Sequence, residues 1–207
     1  MSQASQALTG QLKEGSLWAF VSLLLGAVGS VIPLIGFLVA GAGAYLFLSK
    51  SKAKLESSLS ELRSANMTTY DGSTWVRYIP YAIAVMALGD LILAVVSVMT
   101  LASMLSHATS GPGFIVAGII LRELGVALIA LGAVAVLLAS LFPGLEIFDL
   151  GSRLNDDILR VAGILIIVPF VNFVGWAILA AESDLLGQRL GKGAEQQAAG
   201  PTSVSVA

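Results

Sequence analysis

Four long apolar runs, 16–48, 79–105, 113–142 and 158–181, are separated by short polar stretches. A bilayer core of about 30 Å is crossed by about 20 helical residues. The second, third and fourth runs each predict one crossing helix, with tilt absorbing the excess length of the longer two. The first run is long for one crossing and just long enough for two short ones. At its middle stands "GSVIPLIG" (29–36). Pro33 cannot donate to a helical ladder and biases Ile32 away from helical geometry. A tight helical hairpin turning near Ile32 and Pro33 is the preferred reading, with a single kinked helix as the alternative. The expected fold is therefore all-α, a polytopic membrane helix bundle of five transmembrane helices, with four or six left open.

The motif "VIPLIGFL" (31–38) is echoed by "IVPFVNFV" (167–174). A second hairpin at Pro169 would have arms of about 11 and 12 residues, too short to cross about 30 Å. The fourth run is accordingly read as one Pro-kinked helix, or at most a re-entrant loop. The echo is either the trace of an inverted repeat or chance.

Between the first two runs, Leu55, Leu59 and Leu62 fall at i, i+4 and i+7. That spacing predicts an amphipathic helix over 50–66 that leaves the membrane and packs its leucines on a neighbour or partner. Lys50, Lys52 and Lys54 stand at headgroup depth, where each basic residue gains about 1 kcal/mol near anionic lipid. An ordinary positive anchor explains them equally. Trp75, Tyr78 and Tyr81 form an interfacial aromatic set. The ends, 1–15 and 182–207, are polar, and the second is expected to be disordered.

Within the apolar runs lie Asp90, Arg122, Glu123 and the amide Asn172. A charge at the bilayer centre costs about 2.5–3.5 kcal/mol on insertion scales, so such groups are usually paired or wet. Asp90 and Arg122 fall on two runs joined near Thr109, displaced by about 9 Å at a 1.5 Å rise per residue. A pair across that hairpin is expected, with Arg122 inside the bundle, Glu123 turned elsewhere and Asn172 able to join. Such a cluster could be a polar pin, an ion or proton path, or a pocket for a quinone, lipid or headgroup. Gly118, Gly125 and Gly132 recur every seven residues, so all three are expected on one close-packing helix face. Gly26, Gly29, Gly41 and Gly43 would do the same in the first run.

Composition agrees with the pattern: 57% of residues are hydrophobic and 12% charged, against about a quarter charged in soluble domains. Net charge is −2, which offers no basic field for nucleic acid. There are no cysteines and one histidine, His107. Disulfides, thiolate nucleophiles, cysteine-ligated clusters and bis-histidine haem are excluded for the single chain. No metal site, cofactor or catalytic motif is expected, and His107 reads as a solvated loop residue. Glu146, Asp149, Asp156 and Asp157 follow the third run, where Asp156 and Asp157 suit the start of the next helix.

Positive charge predicts orientation. Lys50, Lys52, Lys54, Arg63 and Arg77 fall in 50–78, Arg153 in 143–157, and none in 106–112. The first two segments are expected to be cytoplasmic and the third external. Five spans would then put Arg189 and Lys192 outside, a mild breach of the rule.

The stretch 147–179, with "LGSRLN" and "AGILIIVPFVNFVG", resembles the C-terminal part of an archaeal family of multi-span membrane proteins, domain-of-unknown-function family 973. Its members show "LGxxxN" and then "GGIL…P…NFIG"; here Ala162 replaces the first glycine of that pair. The entry "LKEGSLWAF" is similar too. A neighbouring archaeal family with a "GxxGxxxPxxGxxL" first helix is also similar. Both resemblances imply an archaeal cell membrane and neither implies an activity. The expected function is a non-enzymatic accessory or scaffold subunit, partnered by lipids and by other membrane proteins or copies of itself. The alternative is a small transporter or channel using Asp90, Arg122 and Glu123.

Overall fold

A computed structural model describes residues 3–32, 34–105, 112–168 and 171–198. His107, Pro33 and Pro169, on which expectations fell, lie outside them. The described residues form α1 (Gln3–Gly29), α2 (Gly36–Leu46), a π-helical turn (Phe47–Ser51), α3 (Lys52–Ser64), α4 (Ser73–Val76), α5 (Ile79–Leu105), α6 (Pro112–Arg153), α7 (Asp157–Ile167) and α8 (Asn172–Ala198). Three helical stretches are long and apolar enough to cross a membrane: Gln6–Gly29, Ser73–Leu105 and Gly113–Arg153.

The first run is a hairpin. Its two arms touch backbone to backbone: a methyl group at Gly29 would stand 2.7 Å from the Ala40 amide nitrogen, and one at Gly43 would strike the Ser22 carbonyl. Glycine is required there because only a bare Cα allows that approach. At the bend, Leu34 takes φ 68°, a left-handed conformation that costs a non-glycine residue about 1–3 kcal/mol. From α2 the chain continues through the π turn into α3, so the returning arm outruns its apolar part. The leucine stripe is satisfied within the chain: Leu55, Leu59 and Leu62 are fully buried with Leu12 of α1. Ser51 Oγ donates to the Gly15 carbonyl at 2.8 Å, and Lys54 pairs with Glu14.

The fourth run is also a hairpin, not one kinked helix. α7 ends at Ile167 and α8 begins at Asn172. The arms return on each other, since a methyl at Gly175 would lie 2.5 Å from the Ile166 nitrogen and 2.7 Å from the Ala162 carbonyl. The 11 residues of α7 rise only about 16 Å. An arm that cannot cross the bilayer is thus still able to fold, because it leans on α6: a methyl at Gly163 would stand 2.5 Å from the Phe148 nitrogen.

This second turn moves the C-terminal helix. Lys13 of α1 contacts Asp184 of α8 at 2.6 Å, and Arg189 pairs with Asp156 at the start of α7. The N-terminal part of α1, the segment 65–78, the 154–156 junction and the C-terminal part of α8 therefore gather at one end. The C-terminal end of α5 and the N-terminal end of α6 are at the other. Arg189 thus lies at the same end of the bundle as Lys13 and Arg63. Two further boundaries shift. α6 passes through Pro143 to Arg153, so most of 143–157 is helix. α8 stays helical to Ala198, where an unstructured tail was expected from 182.

Burial divides unevenly along the bundle. Leu12, Leu55, Leu62, Ile147, Leu150 and Leu159 are fully buried near the polar end. Toward the opposite end, α5 and α6 expose Val98, Leu101, Met104, Ile115, Ile119 and Leu124. An apolar hairpin with so little internal cover fits a hydrocarbon surrounding.

Candidate membrane-embedded polar site

The close contact of α5 with α6 decides which way the polar side chains point. A methyl at Gly89 would stand 2.7 Å from the Gly125 carbonyl, and one at Gly132 would stand 2.9 Å from the Ala82 carbonyl. Gly125 and Gly132 thus pack as the seven-residue spacing predicts. Gly118 does not: nothing lies within 4 Å of its would-be methyl, because the two helices have separated at that height.

With Gly89 against α6, Asp90 is rotated by about 100° about the helix axis, from 3.6 residues per turn. It meets the bend of the first hairpin. Asp90 shares a groove of about 240 Å³ with Ser30, Leu34, Leu93 and Ser97. Its carboxylate stands beside Ser30 in this groove, and the Ser30 hydroxyl donates to the Gly26 carbonyl at 3.1 Å. The carboxylate oxygen Oδ2 is buried without a partner.

The expected pair with Arg122 does not form. Arg122 lines a separate groove with Val96, Thr100 and Gly118. Val96 is six residues past Asp90, about 9 Å along the axis at 1.5 Å per residue. Rotation adds to this axial gap, since Asp90 turns toward Ser30 while Arg122 follows the opened side of the α5–α6 hairpin. Arg122 and Glu123 are both exposed, and no ion pair among the described residues reaches either.

On the other side of Ser30 lies a cavity of about 260 Å³, walled by Leu23, Gly26, Ile83, Met86 and Val136 and reached by Asn172. Asn172 opens α8, is 5% exposed, and has no side-chain hydrogen bond among the described residues. One turn further along α8, Trp176 is fully buried with its Nε1 unpartnered, as is Ser140 Oγ one turn past Val136 on α6. Asn172 was expected beside Asp90 and Arg122. Ser30 and Val31 line both its cavity and the Asp90 groove, and Ser30 is the polar group between them.

At the polar end a second constellation went unassigned from sequence. Glu146 is fully buried and accepts from Thr68 Oγ1 at 2.9 Å and from the Gly72 amide at 2.7 Å. Asp149 accepts from the Thr69 amide at 2.7 Å, and Arg153 donates to the Asn66 carbonyl at 3.0 Å. Together they fasten the segment 66–72 onto α6. Within that segment Asp71 is held below the usual carboxylate value. Partial burial opposes the shift, but hydrogen bonds from Ser73 and Thr74 and the Arg63 guanidinium outweigh it. The contacts that create this clamp reach across 74 to 87 positions of the chain, and no local pattern announces them. Lys50 lies exposed on the π turn, Lys52 is half-buried, and Lys54 is engaged by Glu14. No group of three metal-ligating side chains occurs among the described residues.

The residues carrying the "LGxxxN" and "NFIG"-like motifs have definite places. Gly151 lets the Arg160 backbone approach, Asn155 ends α6 at φ 51°, and Asp156 caps α7 by accepting from Ile158 N and Leu159 N at 3.0 and 3.3 Å. Asn172 faces the cavity and Gly175 closes the α7–α8 contact. No curated protein and no solved structure matches the chain. The family described as "Protein of unknown function (DUF973)" matches residues 34–206, most of the chain, and the protein belongs to that family.

Proposed function

We propose that the protein is a non-enzymatic component of a cell membrane, an accessory or scaffold subunit that packs against other membrane proteins or copies of itself. The observation that carries this reading is the exposure of Arg122 and Glu123 on α6, among exposed Ile119, Ile120 and Leu124. Facing lipid, each charge would cost about 2.5–3.5 kcal/mol. A partner helix with polar groups at that height removes the cost. The apolar surface around the two charges supplies the contact area.

In this reading α5 and α6 cross the bilayer, and the segments 50–78 and 143–157 are cytoplasmic with both termini. The α1–α2 and α7–α8 hairpins enter from that side. The apolar part of the first returning arm, 36–48, and the 11 residues of α7 rise only about 20 and 16 Å, which argues against the five full crossings expected from hydropathy. Cysteines introduced at Ser60, Ser73 and Gln188 should label from one face and a cysteine at Ser106 from the other. Labelling of Gln188→Cys with Ser106→Cys would restore an odd number of crossings.

The functional test is assembly. Light scattering of the chain purified in mild detergent should give a fixed multiple of the monomer mass, or a fixed stoichiometry with a co-purifying membrane protein. Arg122→Leu with Glu123→Leu should abolish it. A monomer that stays monomeric in native membranes under cross-linking refutes the reading.

A second reading, a small transporter or channel, draws on the unpartnered Asp90 Oδ2 beside an open groove. Proton or ion flux in proteoliposomes that is lost in Asp90→Asn would favour it over the scaffold.

A further inference from the structure

We propose that the cavity at the head of α8 binds the polar end of a neutral membrane amphiphile, a molecule with one hydroxyl or carbonyl group on a hydrocarbon chain. The argument starts from Asn172. An amide has two donors and an acceptor oxygen, and burying it without partners costs about 1–3 kcal/mol. Asn172 is 5% exposed and lines the space. Ser30 supplies a hydroxyl on the facing wall. Two polar groups therefore meet in an otherwise apolar chamber.

The rest of the wall selects the remainder of the ligand. Leu23, Ile83, Met86 and Val136 offer nothing to water, which needs two to four polar partners to be held. A volume of about 260 Å³ equals about nine liquid waters at roughly 30 Å³ each. That admits a head group and the first carbons of a chain, with the rest left outside. Val31, at the bend of the first hairpin, lines the cavity and is 80% exposed, which gives a ligand a way in. That bend abuts the α5 apolar surface, so the ligand arrives from the hydrocarbon.

Charge excludes the commoner lipids. Among the described residues no Lys, Arg or His lines the cavity, and Asp90 stands in the next groove across Ser30. A carboxylate or phosphate head would find no counter-charge.

Trp176, buried one turn beyond Asn172, supplies the readout. With Trp18→Phe and Trp75→Phe, it is the only tryptophan of the three. The probe is 2-bromodecan-1-ol, whose bromine adjoins the hydroxyl, and the control is 1-bromodecane; both are titrated into the protein in lipid nanodiscs. The expected result is saturable quenching of Trp176 by the alcohol, weakened tenfold or more in Asn172→Leu and several-fold in Ser30→Ala. Ala133→Phe, which fills the cavity without touching either polar group, should abolish it. Ser30→Ala removes one oxygen and no volume, so it reports even if Asn172→Leu does not fold. Quenching that rises linearly with probe and ignores every variant means partition into lipid only and overturns the site. Saturable binding of 1-bromodecane as tight as the alcohol, unchanged by Ser30→Ala, overturns the recognition of a polar head.

Discussion

Replacing Gly89, Gly118, Gly125 and Gly132 by alanine, one at a time, separates the helix-packing argument from mere glycine abundance. In a helix, alanine is favoured over glycine by about 1 kcal/mol. At Gly118 the new methyl meets nothing within 4 Å, so that gain is kept. At Gly132 it would stand 2.9 Å from the Ala82 carbonyl and 3.0 Å from the Met86 nitrogen, and at Gly89 2.7 Å from the Gly125 carbonyl. Those neighbours are backbone and cannot rotate aside. Overpacking of this kind costs about 1–3 kcal/mol, which cancels or exceeds the propensity gain. Gly125 is intermediate: its closest neighbour, 2.9 Å away, is the Leu93 side chain, which can give. Gly118→Ala and Gly132→Ala should therefore differ by about 1–3 kcal/mol, or about 2–12 °C in apparent Tm at 2–4 °C per kcal/mol for a chain of this size. The assay is thermal unfolding of each variant in one detergent. Equal shifts at Gly118 and Gly132, of either sign, would refute the contact geometry.

Asp156→Ala should cost about 2 kcal/mol, combining a lost N-cap of about 1 kcal/mol with the stranded Arg189. Asp156→Asn keeps the cap and should cost less, and Arg189→Gln should add little to it in a double-mutant cycle. Glu146→Leu should loosen the segment 66–72, read as earlier proteolytic cleavage there, since the Thr68 hydroxyl and Gly72 amide lose their acceptor. The lowered pKa of Asp71 means its contribution to stability is present above its unfolded value, about 4, and is lost as pH falls through the folded value. An acid titration of apparent Tm should show that loss, and Asp71→Asn should flatten it; an unchanged profile counts against the Arg63, Ser73 and Thr74 contacts.

Hydropathy alone determined that the chain is helical and carries stretches long and apolar enough to cross a membrane, because burying backbone in lipid leaves few other options and the apolar runs are long. Local chemistry also carried the first bend at 30–35, the leucine stripe of α3 and the Asp156 cap, since each depends on residues within two turns. The second bend was visible as an echo and rejected on arm length. That test governs spanning and not folding; contact with α6 through Gly144 and Gly163 holds the short arm. The cross-chain arrangement was decided by tertiary structure. Whether Asp90 meets Arg122 or Ser30 depends on the rotation and register of α5 against α6. These are set by where two backbones touch, at Gly89–Gly125 and Ala82–Gly132. An apolar helix face looks much the same at every register in sequence, and only close packing tells one register from the next. The same reason hid the Glu146 clamp and Asn172 at its cavity: each is polar chemistry completed by partners far away along the chain.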